Sequence, residues 1–155
     1  MEQIEETNIP ILNTQQIDHL TEKFYQCISF DQERYPNFDE LQDLFFGAGK
    51  LINSNFDQPI DFTVQSFSQA MMQQIESGNV NFHSQQEIGD VTEIFGKIAQ
   101  RISVYEYSNV RSVRQKWKRG VNYIQYIFAE NQWLITSMIW NDEKGDLIVP
   151  RVYMI

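Results

Sequence analysis

One cysteine, two histidines and four prolines are spread over 155 residues. The lone Cys27 rules out an intrachain disulfide and any zinc site built from several cysteines. It falls in a helical pattern, so a buried small hydrophobe is its expected role, ahead of a catalytic thiol. His19 and His83 are too few for a histidine-rich metal centre, and neither a metal nor a cofactor is expected. No apolar run approaches the ~20 residues of a membrane span. The opening MEQIEETNIP is acidic and polar where a secretory signal is basic and then apolar, so a cytoplasmic protein is expected. Positive charge is scarce too. The formal net charge of −9 disfavours nucleic acid as a partner. The exception is a basic cluster, Arg111, Arg114, Lys116, Lys118 and Arg119, with no acid between Asn109 and Ala129. A solvated inter-strand loop is its expected role; a site for an anionic ligand or partner is the alternative.

Catalytic signatures are missing as well. Gly47-Ala48-Gly49-Lys50 hints at a phosphate loop, but Leu44 stands where the first glycine belongs and Leu51 where Ser or Thr belongs. There is no G-x-S-x-G, no H-E-x-x-H and no C-x-x-C.

What is present is apolar and aromatic: 42% hydrophobic and 14% aromatic residues, enough to build a core in one domain of this length. Residues 1–12 read as a flexible tail and 13–155 as the domain. Asn13 or Thr14 can cap a helix to about Phe30, with Ile17, Leu20, Phe24, Cys27 and Ile28 at helical spacing. Asn37 and Glu40 make a capping-box-like start to a second, short helix carrying Leu41, Leu44 and Phe45. A short strand over Lys50 to Asn55 follows. A third helix runs from about Thr63 to Glu76, with Val64, Phe67, Met71 and Ile75 as its buried stripe and Gly78 as its stop.

From Val80 the period changes to two. Asn81 to Thr92, Phe95 to Tyr107, Lys118 to Ala129 and Gln132 to Asn141 read as four long strands. Gly89 and Gly96 suggest bulges or bends that curve the sheet. Helices first and an antiparallel sheet second define an α+β fold. The apolar tail LIVPRVYMI is expected to dock on the domain.

The stretch Arg119 to Asn141 is the most informative. A tight turn at Glu130-Asn131 would set Phe128 opposite Trp133, Tyr126 opposite Ile135, Ile124 opposite Ser137 and Asn122 opposite Ile139. The other face then holds Tyr123, Gln125, Ile127, Leu134, Thr136, Met138 and Trp140. Neither face is charged, so both want cover. The face with Tyr123, Gln125, Thr136, Met138 and Trp140 is expected to line a ligand pocket, because polar groups on a covered face need partners. The face with Asn122, Ile124, Tyr126, Phe128, Trp133, Ile135, Ser137 and Ile139 is expected to meet a second subunit. His83, Gln85 and Glu87 share one parity, so His83 and Glu87 could pair for acid/base work, with Tyr123 as donor.

The segments FGKIAQRISVYE, RGVNYIQY and WLITSMIW, and the LIVPRVY tail, resemble the nuclear transport factor two-like superfamily, and within it SnoaL-like bacterial proteins. The resemblance spans about Ile17 to the end. It implies a cone: a strongly curved, mostly antiparallel sheet wrapped around three N-terminal helices, as in cystatin-like folds, with an internal pocket. It also implies a homodimer through the outer sheet face. Enzymes of the superfamily, such as ketosteroid isomerases and scytalone dehydratase, place acids or histidines in the cone. Laid against ketosteroid isomerase, the oxyanion-hole tyrosine falls on Phe24, the general-base aspartate on Asn53 and the protonated aspartate near Tyr123. Only Tyr123 keeps a donor, so isomerisation of that type is not expected. His83 alone does not match the paired histidines of scytalone dehydratase. The expected function is binding of a small apolar or aromatic molecule. Phe24, Asn53 and Tyr105 join the pocket candidates. The alternatives are an acid/base isomerase, cyclase or dehydratase, and a protein–protein interaction module.

Overall fold

The computed structural model describes residues 2–111 and 117–154, and side chains from Thr14 onward. Helix α1 spans Glu2–Ile28, α2 Phe38–Asp43 and α3 Val64–Glu76. The strands are β1 Leu51–Asn53, β2 Ile60–Phe62, β3 Ser84–Phe95, β4 Ile98–Ser108, β5 Lys118–Ala129 and β6 Gln132–Asp142. A short 3-10 turn, Arg151–Met154, lies near the C-terminus. The strands form one curved, open sheet in the order β2-β1-β6-β5-β4-β3. Every pair is antiparallel except β1 with β6. Among the described residues no helix is long and apolar enough to cross a membrane.

Local chemistry explains most boundaries. Asn37 caps α2: its side-chain oxygen accepts the Glu40 N–H at 3.1 Å, and its amide donates to the Glu40 carboxylate at 3.1 Å. Thr63 and Ser66 form the reciprocal box at the start of α3. The strand expected over Lys50 to Asn55 is shorter, and Ile60–Phe62 adds a second short strand beside it. Helix α1 already includes the segment before Asn13, so Asn13 and Thr14 lie inside the helix rather than at its cap. Gly89 does sit at a bulge, where the β3–β4 register shifts between Glu87 and Gly89. Gly96, at φ +58°, belongs to the β3–β4 turn instead. The C-terminal turn packs over Gly89, where an added Cβ would stand 2.9 Å from the Tyr153 carbonyl oxygen. Of the basic cluster, Arg114 and Lys116 lie outside the described residues. Arg111 pairs with Asp31 at 3.5 Å across solvent.

The β5–β6 turn forms at Glu130 and Asn131, both with positive φ (57° and 62°), as a two-residue hairpin turn requires. The expected register holds from Phe128–Trp133 to Tyr126–Ile135. There β6 inserts one extra residue, Thr136, and Gln125 pairs with Ser137. Beyond this bulge the partners are Ile124–Met138, Tyr123–Ile139 and Asn122–Trp140. A slip of one residue swaps faces. Met138 and Trp140 therefore share the inner face with Asn122 and Ile124, and Ile139 shares the outer face with Tyr123.

The core lies between that inner face and the helices. Ile17, Leu20, Phe24 and Ile28 of α1 and Leu41 and Leu44 near α2 meet Ile124, Tyr126, Trp133, Ile135 and Met138. The face expected to meet a second subunit is thus the buried one: Asn122, Ile124, Tyr126, Trp133 and Ile135 are all buried, and Phe128 packs against the core. Of that set only Ser137 and Ile139 are on the outer face. Cys27 is buried, and burial pushes its thiol up to about 11, which suits a packing role.

A polar seam fixes α1 to the sheet. Thr21 and Tyr126 hydroxyls meet at 2.7 Å, as do those of Tyr25 and Ser103. Ser103 donates to Glu87 at 2.6 Å. Arg101, only 3% exposed, grips Glu87 through Nε at 3.0 Å and through Nη2, and reaches Asp18 of α1 at 2.7 Å. Burial alone would lower the guanidinium pKa. The hydrogen bonds and charge of Glu87, then the bond to Asp18, outweigh it and hold the pKa above the usual arginine value. Removing one partner of such a pair leaves a charge without compensation. Arg101→Ala is expected to lower the unfolding free energy by about 3–5 kcal/mol in urea denaturation at neutral pH. A loss below about 1 kcal/mol, typical of a solvated pair, would contradict this role.

Candidate functional site

Two adjoining cavities open on the inner sheet face, the larger between it and the helices. The larger is apolar, ≈ 440 Å³. Phe24, Ile28 and Phe30 come from α1 and the residues just after it, and Phe67, Met71 and Ile75 from α3. Phe62 of β2 packs edge-on against Phe67 (5.6 Å between centroids), and Phe67 packs edge-on against Trp140 (6.2 Å). The stripe expected to anchor α3 is therefore also a cavity wall. The smaller cavity, ≈ 320 Å³, is lined by Asn53, Asn55, Phe56, His83, Gln85, Tyr105, Tyr107, Trp140 and Asp142. Asn53, His83, Gln85 and Trp140 line both. The whole is an apolar chamber with a polar end, within the size range of small-molecule sites.

The polar end is assembled across three strands. In register, Tyr105 of β4 faces Gly120 of β5, which faces Asp142 of β6. Gly120 has no side chain to block the path, so the Tyr105 hydroxyl passes over it and donates to Asp142 Oδ1 at 2.5 Å. Tyr107 donates to Oδ2 at 2.8 Å. Burial first, then the bond to Asp142 and its negative charge, raises both phenol pKa values above the ordinary tyrosine value. Both hydroxyls therefore remain protonated donors at neutral pH. Asn55 accepts the Asp142 backbone N–H at 2.7 Å, which ties the loop after β1 to the end of β6.

His83 is set by a two-bond bridge to Phe30: N–H to carbonyl at 2.8 and 3.0 Å in the two directions. Its ring stacks on Phe30 (6.4 Å, 23°) and tilts against Tyr107 (5.6 Å, 32°). Its nitrogens lie 2.7 Å from Asn109 Oδ1 and 2.8 Å from Gln85 Oε1. Both partners are amides. Asn122, in the wall of the apolar chamber, turns its amide nitrogen to Met138 Sδ at 3.5 Å. Its oxygen is buried with no hydrogen-bond partner among the described residues, a costly state for an acceptor.

Of the residues expected at the site, Phe24, Asn53, His83, Trp140 and Tyr105 do line these cavities. Met138 is fully buried behind the wall. Tyr123 and Gln125 do not reach the cavities; they point outward, and Tyr123 is 53% exposed. Thr136 is the bulged residue, and its hydroxyl donates to the Gln125 carbonyl at 3.1 Å. Glu87 belongs to the Arg101 seam and to a separate polar cleft between α1 and β3. The expected grouping of His83, Glu87 and Tyr123 is therefore not assembled. The residues missed were Asp142, Tyr107, Asn109 and Asn122. Asp142 could have been found from its spacing two residues beyond Trp140, and Tyr107 from its spacing two beyond Tyr105, since alternate residues share a face. Among the described residues no group of three His, Cys, Asp or Glu side chains gathers as metal ligands.

No protein-family model matches the chain, and no curated protein sequence matches it. Solved structures do. A protein of unknown function with a cystatin-like fold from Nostoc punctiforme superposes with a TM-score of 0.67 at 12% identity, over 86% of this chain and 93% of that one. A nuclear transport factor two-like protein of unknown function from Silicibacter pomeroyi gives 0.59 at 13% identity, over 86% and 98%. A candidate scytalone dehydratase from Novosphingobium aromaticivorans gives 0.63 at 11% identity, over 93% of each chain. The chain has the nuclear transport factor two-like, cystatin-like fold.

Gly120→Ala tests the crossing. The new Cβ would stand 2.6 Å from the Asn141 carbonyl oxygen and closer still to the Tyr105 hydroxyl. The substitution is expected to destabilise the protein by about 1–3 kcal/mol in urea denaturation. Wild-type stability in this variant would mean that Tyr105 does not cross β5 here.

Proposed function

We propose that the protein binds a small, largely apolar or aromatic molecule in the cone, with a hydrogen-bonding end turned to the Tyr105–Tyr107–Asp142 group. The observation that carries this reading is the pairing of an apolar chamber with a polar end on one side of the sheet. Phe67, Met71 and Trp140 supply contact area, while Asp142 offers an acceptor carboxylate. The SnoaL-like resemblance and the candidate scytalone dehydratase among the structural neighbours favour a ligand of ring type. The acid/base alternative is weaker, because His83 has only amides on its ring nitrogens and Glu87 is committed to Arg101.

Native mass spectrometry, stepped from gentle to denaturing conditions, tests the binding reading. One small molecule per chain, retained until unfolding, or acquired from a panel of aromatic compounds, is the expected result. Met71→Trp should fill the chamber and weaken binding at least about tenfold. Undiminished binding in that variant would place the ligand elsewhere.

A homodimer through the outer sheet face is the second element of the proposal. It rests on Phe95 and Ile98, 84% and 58% exposed, and on Tyr123 and Ile139, which are paired in register on the same face. Light scattering at micromolar concentration should give twice the chain mass, and Ile98→Lys should reduce it to the monomer. A wild-type monomer would contradict the dimer.

A further inference from the structure

We propose that the ligand is an organic cation, an amine carried on an aromatic or apolar body, with its ammonium in the smaller cavity. This rests on the binding reading above and assigns the chemical class that the site selects.

Two features of the two cavities point to a cation. Among the described residues neither is lined by a lysine or an arginine, and Asp142 is the only carboxylate lining them. An anionic ligand would thus meet a like charge and, of basic groups among the described lining residues, only the His83 imidazole, whose nitrogens are taken by Asn109 and Gln85. Asp142 itself lacks a counter-ion, because it makes no ion pair among the described residues. Its two oxygens each take one phenol hydroxyl, which leaves lone pairs free for further donors. A half-buried carboxylate with neutral partners is a charge awaiting its complement.

The second feature is aromatic. Phe56, Tyr105, Tyr107 and Trp140 line the same cavity as this carboxylate. Ring faces attract ammonium groups when desolvated. The Tyr107 ring already does so for Lys118, whose ammonium stands 6.0 Å from its centroid. That lysine sits at the solvent-exposed start of β5 and leaves the Asp142 carboxylate unpaired.

The net charge of −9 favours approach of cations over anions.

Isothermal titration calorimetry with three indoles of matched shape separates the charge states: tryptamine (cationic), tryptophol (neutral) and indole-3-propionate (anionic). Tryptamine is expected to bind wild-type protein at least about tenfold tighter than tryptophol, and the propionate weakest. Asp142→Asn should abolish the preference, so that the ratio of tryptamine to tryptophol affinity falls to about one. The wild-type comparison needs no variant to fold. Tryptophol binding as tightly as tryptamine, or an amine preference that survives in Asp142→Asn, would overturn the cation assignment and leave the cavity reading standing. No binding of any of the three would overturn both.

Discussion

The extra residue in β6, Thr136, decides what the interior of this protein contains. Side chains alternate along a strand, so a single inserted residue exchanges the two faces of everything beyond it. Before the bulge, β6 sends Trp133 and Ile135 inward; after it, the inward set is Met138, Trp140 and Asp142. Without the insertion the inner face would carry Ser137, Ile139 and Asn141 at those levels. The chamber would lose its tryptophan and the polar end its carboxylate. Bulges are common near functional sites, where they re-aim side chains, and this one supplies both halves of the candidate site.

The other parts of the site are positioned by contacts that brace it from outside. Arg101 ties α1 to β3 and β4 through Asp18 and Glu87, which fixes the helix whose C-terminal end carries Phe24 and Ile28. The Phe30–His83 bridge carries that constraint into the imidazole. The gap above Gly120 lets a phenol from β4 reach a carboxylate on β6, so one polar group is shared by non-adjacent strands. These polar contacts orient the cavity; the packing of α1 and α2 on the sheet closes the other end of the cone with Leu41, Phe45 and Ile135. Apolar packing at one end and a cavity at the other follow from the same curved sheet.

Much of the fold was legible in the sequence because its signals are local. Asn37 with Glu40, the stripe of α3, the change of period after Val80 and the turn at Glu130-Asn131 each lie within a few residues. The inward face of the β5–β6 hairpin was not legible, and the reason is physical. Ile124 and Tyr126 are no more apolar than Ile127 and Leu134, so alternation alone could not choose a side. The choice is made by tertiary contacts, such as Tyr126 with Thr21 of α1, and by a bulge that no residue type announces. Hence the sequence alone points to Trp140, Phe24, Asn53, His83 and Tyr105 at the site, but sets Tyr123 and Gln125 inward and Asn122 outward, the reverse of the structure. Glu87 differs for another reason: its partner Arg101 lies on the neighbouring strand, fourteen positions away, while His83, just before β3, bonds Asn109 and Gln85.

If the Thr136 bulge sets the site, ligand enters between α3 and the inner sheet face that the bulge defines. Intermolecular nuclear Overhauser effects between a bound aromatic compound and methyl-labelled protein test it most directly. Contacts are expected to the methyl groups of Met71, Ile75 and Ile28, and none to Ile139 or Ile98. Contacts to Ile139 and Ile98, with Met71 silent, would put the ligand on the outer face and rule out the inner chamber as its site.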